Sequence, residues 1–117
     1  MRNFRELEIW KEARFLVKDI YTISKSLPKS ERFGLVSQIN RCAISIPANI
    51  AEGCGKYSNK DFSRFLQISL GSAYELETHI ILCLDLNFVP KEATIPIIDK
   101  IHRLQKRISS LIKYNKS

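Results

Sequence analysis

Few residues in this chain are of types that carry catalysis or hold a metal. There are two histidines, His79 and His102, and three cysteines, Cys42, Cys54 and Cys83. Nucleophilic catalysis needs a base within hydrogen-bond reach of the nucleophile and a third group to orient that base. Glu75 and His79 stand four apart and Asp99 and His102 three apart, so each pair shares a face if its segment is helical. The two histidines themselves fall on separate segments, and His102 lies off the apolar seam of its own. A di-iron bundle requires two Glu-x-x-His motifs and two further inward glutamates, and the chain has no Glu-x-x-His. The expectation is therefore no catalytic residue, no metal and no cofactor, with the histidines at the surface or in an interface.

The stretch Gly53-Cys54-Gly55-Lys56-Tyr57-Ser58 superficially resembles a phosphate-cradling loop. Such a loop needs four residues between its glycines, Ser or Thr directly after the lysine, and a preceding strand. All three are missing, so the stretch reads as a turn between helices. The next helix starts here beside Lys56 and Lys60, and free amide groups with two cations make an anion contact. A helix cap flanked by solvated lysines is the simpler alternative.

Composition narrows the class of protein. The 117 residues fit one domain, 1–117, with 44% hydrophobic and 26% charged residues. The formal charge is +7, and its placement is uneven. Residues 1–57 carry ten Lys/Arg against six Asp/Glu, a balance of +4, while residues 58–90 carry two against four, a balance of −2. Residues 91–117 carry seven against two, a balance of +5. That asymmetry suits a polyanionic partner, RNA or DNA, or an anionic surface; a merely solubilising surface is the alternative. The cysteines form no Cys-x-x-Cys pair and sit in apolar stretches as small hydrophobes. They point to a reducing, cytoplasmic setting rather than a disulfide framework. No apolar run reaches about eighteen residues, which excludes a membrane span, and the start reads as no signal peptide.

The elements that must position these groups are four helical segments. Segment one, roughly 6–26, repeats Trp10, Ala13, Leu16, Val17, Ile20 and Ile23 at offsets of three and four, and Leu27-Pro28 ends it. Segment two runs from an N-cap at Ser30 to Gly53, where Gly53-Cys54-Gly55 supplies the stop, with Leu35, Val36, Ile39, Cys42, Ala43, Ile46 and Ile50 covering more than one stripe. Pro47 lies inside it and predicts a kink near Ala43–Pro47. Segment three opens on Ser58 as N-cap and carries Phe62, Phe65, Leu66, Leu70, Ala73, Leu76, Ile80 and Leu84. Gly71 in its middle costs about 1 kcal/mol against alanine, which predicts another backbone passing close by. Segment four runs from about Lys91 or Thr94 to Tyr114 with the seam Ile97, Ile101, Leu104, Ile108 and Leu111, and Pro96, if it is to lie in the first turn, favours a start at Thr94 or Ile95. Short connections make neighbours antiparallel, so the expected fold is an all-α, up-down-up-down four-helix bundle.

Two surfaces stand out on that frame. Gln38, Arg41, Ser45, Asn49 and Glu52 form a polar row along the otherwise apolar segment two. If buried they need partners, for which Glu75 and Glu77 or a neighbouring subunit are the candidates. An oligomer interface explains the row better than a catalytic cleft. On segment four, Lys100, Arg103, Lys106 and Arg107 lie opposite the seam and form a positive stripe able to follow a phosphate backbone. Lys56, Lys60 and Arg64 make a second patch. No aromatic residue interleaves the stripe apart from Tyr114, so base stacking is not expected there.

The stretch from Phe33 to Gly53, ending Ser45-Ile46-Pro47-Ala48-Asn49-Ile50-Ala51-Glu52-Gly53, resembles the signature of the four-helix bundle proteins encoded within 23S ribosomal RNA intervening sequences. Phe62, Arg64-Phe65-Leu66, Leu70-Gly71-Ser72-Ala73 and Glu75-Leu76-Glu77 resemble its second block, and Leu7-Glu8-Ile9-Trp10-Lys11-Glu12-Ala13 its opening. The resemblance covers about residues 4–89, with Cys42 where alanine is usual. It implies a bacterial cytoplasmic protein that assembles into a homo-oligomeric ring, a pentamer in relatives. Those relatives include nucleic-acid-binding accessory proteins of diversity-generating retroelements, which also bind a reverse transcriptase. Two expectations follow: a non-enzymatic nucleic-acid-associated oligomer, most simply one directed to ribosomal RNA or its intervening sequence, or a protein-interaction scaffold or accessory subunit.

Overall fold

Apolar residues at offsets of three and four can be hidden from water only if each helix turns that row toward the others. The computed structural model describes residues 2–116, and among them are four helices and no strand. A 3-10 turn at Phe4–Glu6 leads into α1, Glu8–Ser24, and a second, Lys29–Glu31, precedes α2, Leu35–Cys54. The longer helices α3, Asn59–Asp85, and α4, Lys91–Lys116, complete the chain. Each helix packs on its sequence neighbours, and α4 closes back on α1. The α2–α3 contact is the most extensive and the α1–α4 seam the thinnest. The molecule is 44 Å long, the scale set by α3, whose 27 residues span about 40 Å. This is the expected antiparallel bundle.

One core fills the interior. Ile9, Ala13, Leu16 and Ile20 of α1 meet Ile39, Ala43, Ile46 and Ile50 of α2, Leu66, Ala73, Leu76 and Ile80 of α3, and Ile101, Leu104 and Ile108 of α4. Near the end of α4 the buried residue is Ile112, while Leu111 is only half-buried. All three cysteines are buried free thiols. No helix among the described residues is long and apolar enough to cross a membrane.

The helix ends follow local chemistry, with two departures from expectation. Ser58 caps α3 as expected, its Oγ accepting from the Asp61 amide at 3.0 Å. Asn87 adopts a left-handed φ of 59° at the other end. There Phe88 N–H reaches Cys83 O at 2.9 Å and Asn87 N–H reaches Leu84 O at 3.0 Å, a Schellman pattern with asparagine in the usual glycine position. Ser30, the expected N-cap of α2, instead lies in the 3-10 turn. Gly34 takes the cap position, and the Glu31 carboxylate accepts from the Leu35 amide at 3.4 Å. Helix α4 starts at Lys91, earlier than Thr94, because both N–H and hydroxyl of Thr94 bond the Pro90 carbonyl, at 3.2 and 2.9 Å. Pro96 therefore sits in the second turn, on an exposed face where water can satisfy the carbonyl it orphans.

Helix α2 runs through Pro47 without interruption. The missing N–H leaves the Ala43 carbonyl without its helical donor. One residue before the proline, buried Ser69 of α3 donates its hydroxyl to Ile46 O at 2.9 Å and ties the two helices together.

The close approach expected at Gly71 is found at Gly53 instead. Gly71 is exposed, and a Cβ there would meet nothing within 4 Å, so no backbone of its own chain passes close. Gly53 is the close approach. It is buried in the last turn of α2, which ends at Cys54 with Gly55 as C-cap as the Gly53-Cys54-Gly55 stretch predicts, and a Cβ would stand 2.9 Å from Phe65 Cβ and 3.1 Å from a ring carbon of Phe62. Gly53→Ala is expected to destabilise the fold by about 1–3 kcal/mol through overpacking, only partly offset by helix propensity. Gly71→Ala, in open space, is expected to raise subunit stability by up to about 1 kcal/mol. Urea unfolding of the two variants checks this, and equal effects would contradict the packing described.

Candidate nucleic-acid interface

A basic side chain serves a polyanion only if its charge is not already spent within the fold. On α4, Ile97, Ile101, Leu104, Ile108 and Ile112 face the core, which turns Lys100, Arg103 and Arg107 toward α1. There Lys100 Nζ lies 2.7 Å from Asp19 Oδ2, and Arg103 Nε lies 3.6 Å from Glu12 Oε1. Arg107 donates to the same Glu12 oxygen. Lys106 is exposed and makes no ion pair among the described residues. Most of the expected stripe thus stitches the thin α1–α4 seam. Exposed pairs of this kind add only about 0–1 kcal/mol each, but they halve the local surplus of positive charge. The partners Glu12 and Asp19 lie some ninety residues away in sequence, which hid the compensation from a reading of α4 alone.

The second patch is better placed. The antiparallel topology brings the N-terminal arm, the α2–α3 turn and the C-terminal turns of α4 to the same end of the bundle. Leu7 and Glu8 line a shallow groove with Arg107, Ser110 and Leu111, which fixes the arm beside late α4. Arg2 crosses the α2–α3 turn, its guanidinium 4.0 Å above the Phe62 ring and donating to Asn59 Oδ1 and, at 3.4 Å, to Lys56 O. Lys56 and Arg64 both lie against the Phe65 ring, at 5.0 and 4.9 Å, which orients their charges. Arg64 also approaches Asp61 at 3.8 Å. Lys60 is exposed at the positive end of α3, with no ion pair among the described residues. Arg5 and Lys113 are exposed at the same end, where Glu6, Glu8, Glu52 and Asp61 are outnumbered. Tyr57 is 92% exposed and Tyr114 76%, so aromatic rings accompany this cluster although they do not interleave the α4 stripe. Arg2 and Arg5 are not among the sequence-based candidates; the contact that brings Arg2 here joins residues sixty apart and exists only in the fold.

The polar row of α2 is divided by the fold. Ser45 and Ser72 share a hydrogen bond of 2.8 Å, and Asn49 Nδ2 donates to Ser45 O and Oγ, each at 2.9 Å. Gln38, Arg41 and Glu52 are exposed, with no side-chain bond among the described residues. The acids of α3 do not satisfy them. Glu75 Oε2 lies 3.3 Å from His79 Nε2, and Glu77 accepts from His102 Nε2 and Gln105 Nε2, both at 2.8 Å. Gln105 is a buried residue that sequence reading missed. It stands four after Ile101 and three before Ile108, on the buried row, and also donates to Ala73 O at 3.4 Å.

The Gln105 and His102 hydrogen bonds hold the Glu77 carboxyl below its ordinary value of 4.5. Because the folded value is depressed, the stabilisation is present above the unfolded range and is lost as pH falls through the folded value. Replacing Glu77→Gln is expected to cost about 1–2 kcal/mol near neutral pH and to flatten the loss of stability on acidification below that range. Urea unfolding across an acid pH series reads both effects; an unchanged acid slope would contradict the assignment.

The observations define an all-α bundle with one basic, aromatic-bearing end. The chain belongs to the family described as 23S rRNA-intervening sequence protein, which matches residues 5–110. A solved structure from Bacteroides thetaiotaomicron, a protein of unknown function from the S23 ribosomal protein family, is 27% identical with a TM-score of 0.84. The match covers 90% of this chain and 98% of that one. No curated protein matches the chain.

Proposed function

We propose that this protein is a non-enzymatic, cytoplasmic oligomer that associates with nucleic acid, ribosomal RNA or its intervening sequence above all, through the basic end of the bundle. The observation that carries the reading is the convergence of Arg2, Arg5, Lys56, Lys60, Arg64 and Lys113 from three separate stretches of chain. Phosphates neutralised by such cations release counterions, so recognition is backbone-driven and salt-sensitive. Tyr57 and Tyr114 offer ring faces to unpaired bases. The family description, which ties these proteins to 23S rRNA, supports the same class of partner. Buried free thiols suit a reducing compartment.

Assembly belongs to the same proposal. On the outer faces of α2 and α3, Ile44, Ile68 and Leu82 are exposed, as are Arg41 and Glu52, and a Cβ at Gly71 would meet open space. Exposed apolar and small residues suit contact with another helix. A ring, a pentamer by resemblance, multiplies one weak basic end into an avid surface. The second reading, a scaffold or accessory subunit for a protein such as a reverse transcriptase, draws on these same faces and assigns the basic end no role.

Labelled RNA and duplex DNA titrated over a salt series separate the two. Affinity is expected to fall by at least about tenfold between 50 and 200 mM salt. The combined Lys56→Glu, Lys60→Glu and Arg64→Glu variant is expected to weaken binding and to reduce the salt slope by about one per lost phosphate contact. Lys106→Glu on α4 is expected to do much less. Binding that ignores salt, or no binding at micromolar protein, would favour the scaffold.

A further inference from the structure

The antiparallel register that sets Ser45 against Ser72 carries Cys42, three residues back on α2, to Glu75, three residues on along α3. His79 lies one turn further and completes a cluster. The Cys42 sulfur, a Glu75 carboxylate oxygen and a His79 ring nitrogen all lie within 4.8 Å of one another. We propose that Cys42, Glu75 and His79 form a three-ligand site for a borderline-soft divalent cation, zinc by preference.

The donor set itself selects the cation. Magnesium and calcium take oxygen donors, whereas a thiolate with an imidazole and a carboxylate suits zinc, cobalt or nickel. Metal–sulfur and metal–nitrogen or –oxygen distances of about 2.3 and 2.0–2.2 Å put tetrahedral ligands roughly 3.3–3.7 Å apart. The Glu75–His79 separation of 3.3 Å already has that length. Cys42 is held in the core at 3% exposure, while the Glu75 side chain is half exposed and can close the remaining gap. Nε2 is the His79 nitrogen that faces Glu75, while the ring's Nδ1 is buried with no hydrogen-bond partner among the described residues.

On binding, the Cys42 S–H bond breaks, its proton passes to solvent and a sulfur–metal bond forms. Burial and the Glu75 carboxylate push that thiol up to about 12, so the entering cation must displace the proton. The thiol donates to Ile39 O at 3.4 Å, a bond that metal binding would replace. Three protein ligands leave one tetrahedral position for water on the side of the exposed Glu75. The cluster pairs residues on two helices, so neither helix read alone reveals it. It is also independent of the basic end, and either proposal can fail without the other.

Cobalt(II) chloride titrated into the reduced, full-length protein tests the site. The expected result is a sulfur-to-cobalt charge-transfer band that saturates at one cobalt per chain and is displaced by zinc. Cys42→Ala should abolish the band although Cys54 and Cys83 remain. Glu75→Gln and His79→Gln, at partly exposed positions, should each weaken zinc binding by about tenfold or more. Circular dichroism confirms the fold of each variant. No band with excess cobalt, or a band that survives in Cys42→Ala, overturns the proposal.

Discussion

The absence of a side chain at Gly53 is the constraint on which the rest of the molecule depends. Only hydrogen at that position lets the last turn of α2 close onto Phe62 and Phe65 at the start of α3. That closure fixes the antiparallel register of the most extensive helix pair in the bundle. The Ser45–Ser72 bond and the Ser69 bond to the Ile46 carbonyl then follow in sequence along the pair. The same two phenylalanines form the floor on which Arg2, Lys56 and Arg64 rest. The packing that sets the fold also organises its basic end.

Charge is apportioned unequally over this frame. Along the α1–α4 seam, where apolar contact is thinnest, cations of α4 meet Glu12 and Asp19 and serve cohesion between helices. At the end that gathers the α2–α3 turn, cations outnumber carboxylates, and Arg2, Lys56 and Arg64 lean on aromatic rings, Arg64 also approaching Asp61. A cation stacked on a ring keeps its charge toward solvent, whereas one in an ion pair does not offer it freely. Local geometry therefore matters more than the overall +7 in choosing the surface for a polyanion.

The fold was legible in the sequence because its signals are local. Apolar spacing marks each helix, Ser58 announces the start of α3, and short connections leave little topological choice. The failures involve information carried by other segments. Ser30 looked like a cap, but the chain after Pro28 spends it in a 3-10 turn and hands capping to Glu31. Gly71 and Gly53 were indistinguishable as glycines until the neighbours of each were known. The α4 stripe looked free because its acids lie on α1, and the Cys42–Glu75–His79 cluster exists only once two helices are aligned. Gln105 and Ser69 were legible, since their offsets from Ile101 and Ile108 and from Leu66 and Ala73 place them on buried faces.

The central claim is that one end of the bundle, rather than the flank of α4, meets nucleic acid. Lysine-reactive labelling read by mass spectrometry, with and without a saturating structured RNA, addresses it residue by residue. The account predicts strong protection of Lys56, Lys60 and Lys113 with Lys100 and Lys106 unchanged. Protection of Lys100 and Lys106 with the end lysines still reactive would contradict it.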